Sequence, residues 1–191
     1  MERDRQRRFL ESVDRRLVPR GFNRRSRTQE WKLQVETDQL WVHLNFGLGV
    51  INPSVGVSYL DLAKRWAMLP GGVFGTMVMV SNRSDPPRRF DGDTDPDQLA
   101  SAVEDEGLAA VFELRDRGEV LRQLRSVEVK HWPVPSFSHR IRLAPVLMCD
   151  AGFPAEALKI ADEYLKASEG RDQLVPSYKD FVVAMRLAIA S

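Results

Sequence analysis

Apolar residues in the first part of the chain return every three or four positions, at Phe9, Leu10, Val13 and Leu17. That spacing predicts an amphipathic first helix, with Asp4 and Arg8, and Glu11 and Arg15, four apart as ion pairs on its surface. The helix is expected to stop near Pro19 and Gly21, because proline restricts the residue before it and glycine accepts the turn.

The period then changes from helical to alternating. Trp31, Leu33 and Val35 fall on one face and Lys32, Gln34 and Glu36 on the other, the pattern of a half-buried strand. After a polar break at Thr37 to Gln39, Leu40, Val42, Leu44, Phe46, Leu48 and Val50 alternate through a longer run, and the two runs read as a β-hairpin. Asn52-Pro53 marks a further turn, followed by a strand in which Val55, Val57 and Tyr59 alternate with Ser54, Gly56 and Ser58. Asp61 to Leu69 reads as a short helix, Gly71-Gly72 as a reset, and Val73 to Ser81 as a fourth strand. Asn82 to Asp95 is loop by composition.

Asp95 is placed to cap a helix that has Pro96 at its first position and Gln98 in the capping box. Short helices continue to about Arg125, and Ser126 to Ser138, with Pro133 and Pro135, reads as a linker. Three helical runs close the chain, at Ile141 to Asp150, Pro154 to Ala167 and Pro176 to Ala190. The predicted class is α+β: an N-terminal helix, an antiparallel meander of about four strands, then an all-helical C-terminal part. The expected division is a sheet domain over 1–125 and a helical extension over 126–191 packed on it as one compact unit.

The 191 residues are 43% hydrophobic and 29% charged, enough apolar material for a sizeable core, which argues against intrinsic disorder. A single cysteine, Cys149, forms no internal disulfide and fits a reducing compartment. Met1-Glu2-Arg3-Asp4-Arg5 has no apolar stretch behind it, and no apolar run reaches the roughly 20 residues of a membrane span. A soluble, cytoplasmic protein is expected, with no membrane partner.

The run Leu17-Val18-Pro19-Arg20-Gly21-Phe22, then Trp31, then Val42-His43-Leu44-Asn45-Phe46-Gly47, resembles an uncharacterised bacterial family of small α+β proteins over about residues 1–125. Members of that family place a helix, a Gly-Phe turn and an antiparallel meander in this order, and they are often read as immunity-type proteins of toxin systems. The resemblance implies a protein-interaction role. Separately, Leu143 to Leu165, with Gly152, Glu156, Ala157 and Leu158, is similar to one helix pair of a tetratricopeptide repeat. A single pair makes no extended groove, so a pair packed on the sheet domain is expected.

Candidate chemistry is incomplete wherever the sequence suggests it. Asp91, Asp93, Asp95 and Asp97 imitate the start of a calcium loop, yet Pro96 replaces the required glycine and Ala102 the closing glutamate. An acidic loop with a helix cap is the expectation. His43, His131 and His139 are not spaced as zinc ligands, and Cys149 lies in the apolar run Val146-Leu147-Met148. Gly56-Val57-Ser58-Tyr59-Leu60 ends in leucine where a nucleophile elbow needs glycine, and Gly47 and Gly49 lack the rest of a dinucleotide fingerprint. No metal, no cofactor and no enzymatic activity are expected. Trp41, His43 and Asn45 share the less apolar face of the long strand. That face is either exposed at a binding surface or covered by a helix; covering is the favoured expectation, and it would make Trp41 core and His43 a hydrogen-bonded core histidine.

Charge is distributed unevenly although the net is only +1. Arg3, Arg5, Arg7, Arg8, Arg15, Arg16, Arg20, Arg24, Arg25 and Arg27 crowd the first section. Asp85, Asp91, Asp93, Asp95, Asp97, Glu104, Asp105 and Glu106 crowd the middle. Either segment can serve as an interaction face, or the two can offset each other within the fold. The expected function is a non-catalytic protein-interaction module, an immunity-type inhibitor of a bacterial toxin in its most concrete form. Its candidate contact residues are Asp91, Asp93, Asp95, Asp97, Glu104, Asp105 and Glu106. The alternatives are a nucleic-acid-binding protein using Arg3 to Arg27, and an enzyme whose site assembles from dispersed residues.

Overall fold

The computed structural model of the chain describes residues 3–25, 28–72, 74–83, 86–126, 133–134, 136–168 and 175–190. Arg27, Asp85 and His131 lie outside them. The first helix, α1 (Arg3–Leu17), buries Phe9, Ser12, Val13 and Leu17 on one side. It runs into a single 3-10 turn, Val18–Arg20, closed by Gly21 at φ 87°, whose N–H donates to the Val18 carbonyl. Only a residue tolerant of the left-handed region ends a helix in this way.

Strands β1 (Asn23–Arg24), β2 (Glu30–Val35), β3 (Asp38–Gly47), β4 (Val50–Tyr59) and β5 (Gly75–Met79) are neighbours in that order in one sheet, with β6 (Phe90–Asp91) beside β4. The β2–β3 pairing is antiparallel and sets Trp31 opposite Val42 and Leu33 opposite Leu40, so the apolar alternation of both strands falls on one face. Between the strands, Glu36 adopts φ 54°.

The next turn differs from the sequence expectation. The chain reverses at Leu48-Gly49, with φ values of 51° and 77°, and β4 passes straight through Asn52-Pro53 with Pro53 buried. Two successive left-handed residues are the signature of the tight hairpin turn that matches strand twist. Leu48 continues the apolar alternation but sits fully exposed at the tip. β1 and β6 are two-residue strands, too short to leave a periodic signal, and β6 falls within the segment read as loop.

A helical run from Pro96 to Glu113 follows: α3 (Pro96–Ala102), a π turn (Val103–Gly107) and α4 (Leu108–Glu113). Asp95 caps it by accepting from the Asp97 N–H at 3.0 Å, as the sequence predicts. Gly107 lies against the sheet, since a Cβ there would stand 3.1 Å from Val55 Cγ1. The core of this part includes Trp31, Leu40, Val42, Leu44, Val55 and Val57, all inaccessible to solvent.

The remaining helices are α2 (Leu60–Arg65), α5 (Arg117–Arg125), α6 (Phe137–Asp150), α7 (Pro154–Ala167) and α8 (Val175–Ala190). α6 packs against α5 and α7, and α7 against α8. Gly152 at φ 87° turns the chain between α6 and α7. Two compact units result. The first comprises residues 1–58 and 76–115, and the second comprises 59–75 and 116–191, so α2 and α5 group with the C-terminal helices. The architecture is mixed α+β with an antiparallel sheet. Among the described residues no helix is long and apolar enough to cross a membrane.

Candidate functional site

The acidic segment and the basic helix meet. α1 packs against α3, and the side chains interleave along the seam. Arg5 reaches Asp93 at 2.7 Å and Arg15 reaches Asp97 at 2.8 Å, while the Ser12 hydroxyl also donates to Asp97. Arg16 and Arg20 both close on Glu104 at 2.5 Å, and Arg88 reaches Glu106 at 2.7 Å. The hydrogen bonds from Arg16 and Arg20 hold the Glu104 carboxyl below its usual range, as those from Ser12 and Arg15 do for Asp97.

Two of the predicted contact residues serve the local backbone instead. Asp91 accepts from the N–H groups of Asp93 and Thr94 at 2.9 and 3.2 Å, which lowers its carboxyl, and Asp95 is the helix cap. Asp105 is exposed on the π turn, between Glu104 and Glu106. Asp93, although paired, keeps 95% of its side chain accessible. The same pairing engages Arg5, Arg15, Arg16 and Arg20, and Arg24 joins Asp14 at 2.5 Å. Opposite charges gathered in two sequence segments therefore become one intramolecular seam.

That seam continues into the core through Asp14. Its carboxylate accepts from the buried Trp31 Nε1–H at 2.7 Å and from Arg24 Nε and Nη2 at 2.9 and 2.5 Å, with the Arg24 guanidinium 5.5 Å from the Trp31 ring. Burial pushes the Asp14 carboxyl up, but the bonds from Arg24 and Trp31 outweigh it and leave it lowered.

The other face of the sheet is partly accessible. The register pairs Glu30 with His43 and Lys32 with Trp41, and Glu30, Trp41, His43, Ser54 and Met77 are among the residues lining a shallow groove of about 450 Å³. Trp41 and His43 are half-buried and Asn45 is exposed. Trp41 owes part of this burial to Gly56. A Cβ at Gly56 would meet Trp41 Cζ2 at 2.4 Å and the Thr76 carbonyl at 2.1 Å, so the indole lies directly on strand backbone. Trp41 takes that part of its burial from its own sheet. Ser54 Oγ donates to the His43 carbonyl at 3.4 Å.

The other candidates stand apart. Ser58 is a half-buried strand residue. His139 Nδ1 lies 2.8 Å from the Ser136 hydroxyl, which caps α6 by accepting from the His139 N–H. Cys149 is half-buried. Among the described residues, no group of three His, Cys, Asp or Glu side chains is placed to hold a metal ion. No local pattern marks the role of Asp14, whose partners Arg24 and Trp31 are 10 and 17 residues away, or that of Gly56 as the seat of the indole.

Comparison of the chain with protein-family models, with curated proteins and with solved structures finds no match in any of the three. The class the structure defines is thus a mixed α+β protein with an N-terminal helix, an antiparallel sheet and C-terminal helices.

Proposed function

We propose that the protein is a non-catalytic protein-interaction module that binds its partner through this partly accessible face of the sheet. The observation that carries this reading is the groove beside Trp41. An aromatic side chain seated on bare backbone, next to Met77 and rimmed by Glu30, His43 and Ser54, has the make-up of an interface hot spot: a rigid apolar anchor inside a polar border. The ion-paired seam supports the choice of face. Glu104, Glu106 and Asp97 already satisfy arginines of the same unit, so a partner would have to displace those bonds, whereas the groove is accessible as it stands. An immunity-type inhibitor of a bacterial toxin is the concrete form of the module, in keeping with the resemblance of residues 1–125; its partner is another protein.

The test is recovery of a partner from the native host with the tagged full chain and two sets of variants. Loss of the partner with Trp41→Ala, and its retention when Asp93, Asp95 and Glu106 are changed to lysine, is the expected result. Retention with Trp41→Ala and loss on charge reversal would assign binding to the acidic residues and overturn the sheet-face reading.

A further inference from the structure

Helix α6 carries two arginines into the interior of the second unit, Arg140 and Arg142, which are 9% and 5% exposed. A buried cation is normally compensated by a carboxylate, because losing hydration costs several kcal/mol that neutral contacts do not fully restore. Arg140 donates from Nε to the Leu124 carbonyl at 2.6 Å and faces the Tyr164 ring.

Arg142 is arranged differently. Its Nη1 donates to the Ser138 carbonyl and hydroxyl at 3.1 and 2.7 Å, and its Nη2 donates to the Ser177 hydroxyl at 2.9 Å. The guanidinium carbon lies 5.5 Å from the centroid of the Tyr178 ring. Every one of these partners is neutral, and among the described residues the buried Nε has no partner. Among the described residues no carboxylate forms an ion pair with Arg142. Burial holds its pKa below the ordinary guanidinium value, and burial together with the Arg142 charge holds His139 below the ordinary imidazole value.

The edge that carries this Nε has a defined setting. On a guanidinium, Nε–H and the adjacent Nη2 form a lateral fork whose two donors match two oxygens of a carboxylate or phosphate. The residue above this fork is Gly71, exposed and at φ 61°; a Cβ there would stand 3.4 Å from Nε and 3.9 Å from Nη2. Gly71 itself therefore puts no side chain against the fork, whose Nε is closed to solvent, in a turn where the Gly72 N–H donates to the Leu69 carbonyl. Ser138 and Ser177 stand in the first turns of α6 and α8, helices of 14 and 16 residues. The amino ends of both helices present positive dipole to the same guanidinium.

We propose that the Nε–Nη2 edge of Arg142, under the Gly71 turn, is a binding site for a tetrahedral oxyanion of the phosphate type. A phosphoryl or sulfate group spans the fork and also reaches toward the Ser177 hydroxyl, which a planar carboxylate on the fork does not. The anion supplies the counter-charge that no described carboxylate gives the buried arginine. The site belongs to the second unit and is independent of the sheet face proposed for partner binding.

The experiment is an NMR titration of the full chain, following the Arg142 Nε–H resonance, assigned by its loss in Arg142→Lys, and the His139 imidazole. Sulfate and inorganic phosphate are each added against sodium chloride at matched ionic strength. The expected result is a saturable shift of the Arg142 Nε–H signal with either oxyanion and a rise of the His139 pKa in sulfate, whose charge is constant across that pH range. Arg142→Lys keeps the charge but not the fork, and weakens binding by about tenfold or more. O-phosphoserine in a third arm distinguishes the sources: tighter binding than inorganic phosphate indicates a group carried on a monoester, and equal or weaker binding indicates the free anion. A non-saturating shift that chloride reproduces, an adventitious ion only, or an Arg142 signal unmoved by both oxyanions, overturns the proposal without requiring any variant to fold.

Discussion

Replacing Asp14 by alanine tests the physical account of how α1 is held to the sheet. In the native structure this carboxylate is the acceptor for a Trp31 indole N–H that has no access to water, and it pairs with an Arg24 side chain that is 21% exposed. Stranding a buried donor costs about 1–3 kcal/mol. Release of Arg24 from its bidentate anchor loosens its contact over the Trp31 ring, worth about 0.5–1 kcal/mol at a partly exposed site. The guanidinium recovers water on release and the desolvation of the carboxylate is removed, so the net loss is about 2–3 kcal/mol. Native-state hydrogen exchange of the slowest backbone amides in β2 and β3 reads this locally, within the unit that contains Asp14. At tenfold per 1.4 kcal/mol the exchange rates rise about 30- to 150-fold. Asp14→Asn retains an acceptor for the indole and loses less. The pH dependence carries a sign. The folded carboxyl lies below its ordinary value of 3.8, so its contribution is fully present above pH about 4 and fades as pH falls through the lower folded value. Wild-type protection declines over that acid range more steeply than that of Asp14→Ala. Exchange rates within about twofold of wild type, with an unchanged acid profile, would refute the reasoning.

Gly56→Ala places a methyl group against the Thr76 carbonyl and the Trp41 ring; a loss of at least about 3 kcal/mol in urea unfolding, or displacement of the indole seen as a red shift in Trp41 emission, is expected. Glu104→Gln withdraws the carboxylate shared by Arg16 and Arg20, and because those arginines remain partly accessible the expected cost is about 1–2 kcal/mol by the same exchange measurement. Burial pushes the Cys149 thiol up to about 11, so alkylation by iodoacetamide near pH 8 is expected to be about 100-fold slower than in urea-unfolded protein.

What the sequence made legible follows the range over which each signal acts. Trp31, Leu33 and Val35 announce a strand because the period of two is a property of a few neighbouring residues, and Asp95-Pro96 announces a helix start for the same reason. The Leu48-Gly49 turn was missed because Leu48 keeps the apolar alternation going, while the Asn-Pro pair four residues later carries the stronger turn composition. The charged segments were visible as clusters, but their pairing was not. Whether Glu104 faces Arg16 or solvent depends on how α1 packs beside α3, which no local pattern encodes. Arg142 shows the limit most plainly. Its place between Ile141 and Leu143 gives no sign of whether its side chain runs outward or into the protein, and the glycine above it is separated from it by some seventy residues of chain.

The order in which the chain visits its two units bears on how it can be made and cut. Synthesis lays down the first part of the sheet, then residues 59–75 of the second unit, then returns to finish the first unit with residues 76–115 before α5 to α8 exist. Until those helices emerge, Leu62, Trp66 and Leu69, all buried in the finished protein, have no complete core of their own and are surface that a chaperone or a neighbouring nascent chain can bind. A protease or a gene truncation meets the same arrangement: no single cut in the backbone separates one unit from the other, because each is built from two stretches of sequence that alternate along the chain.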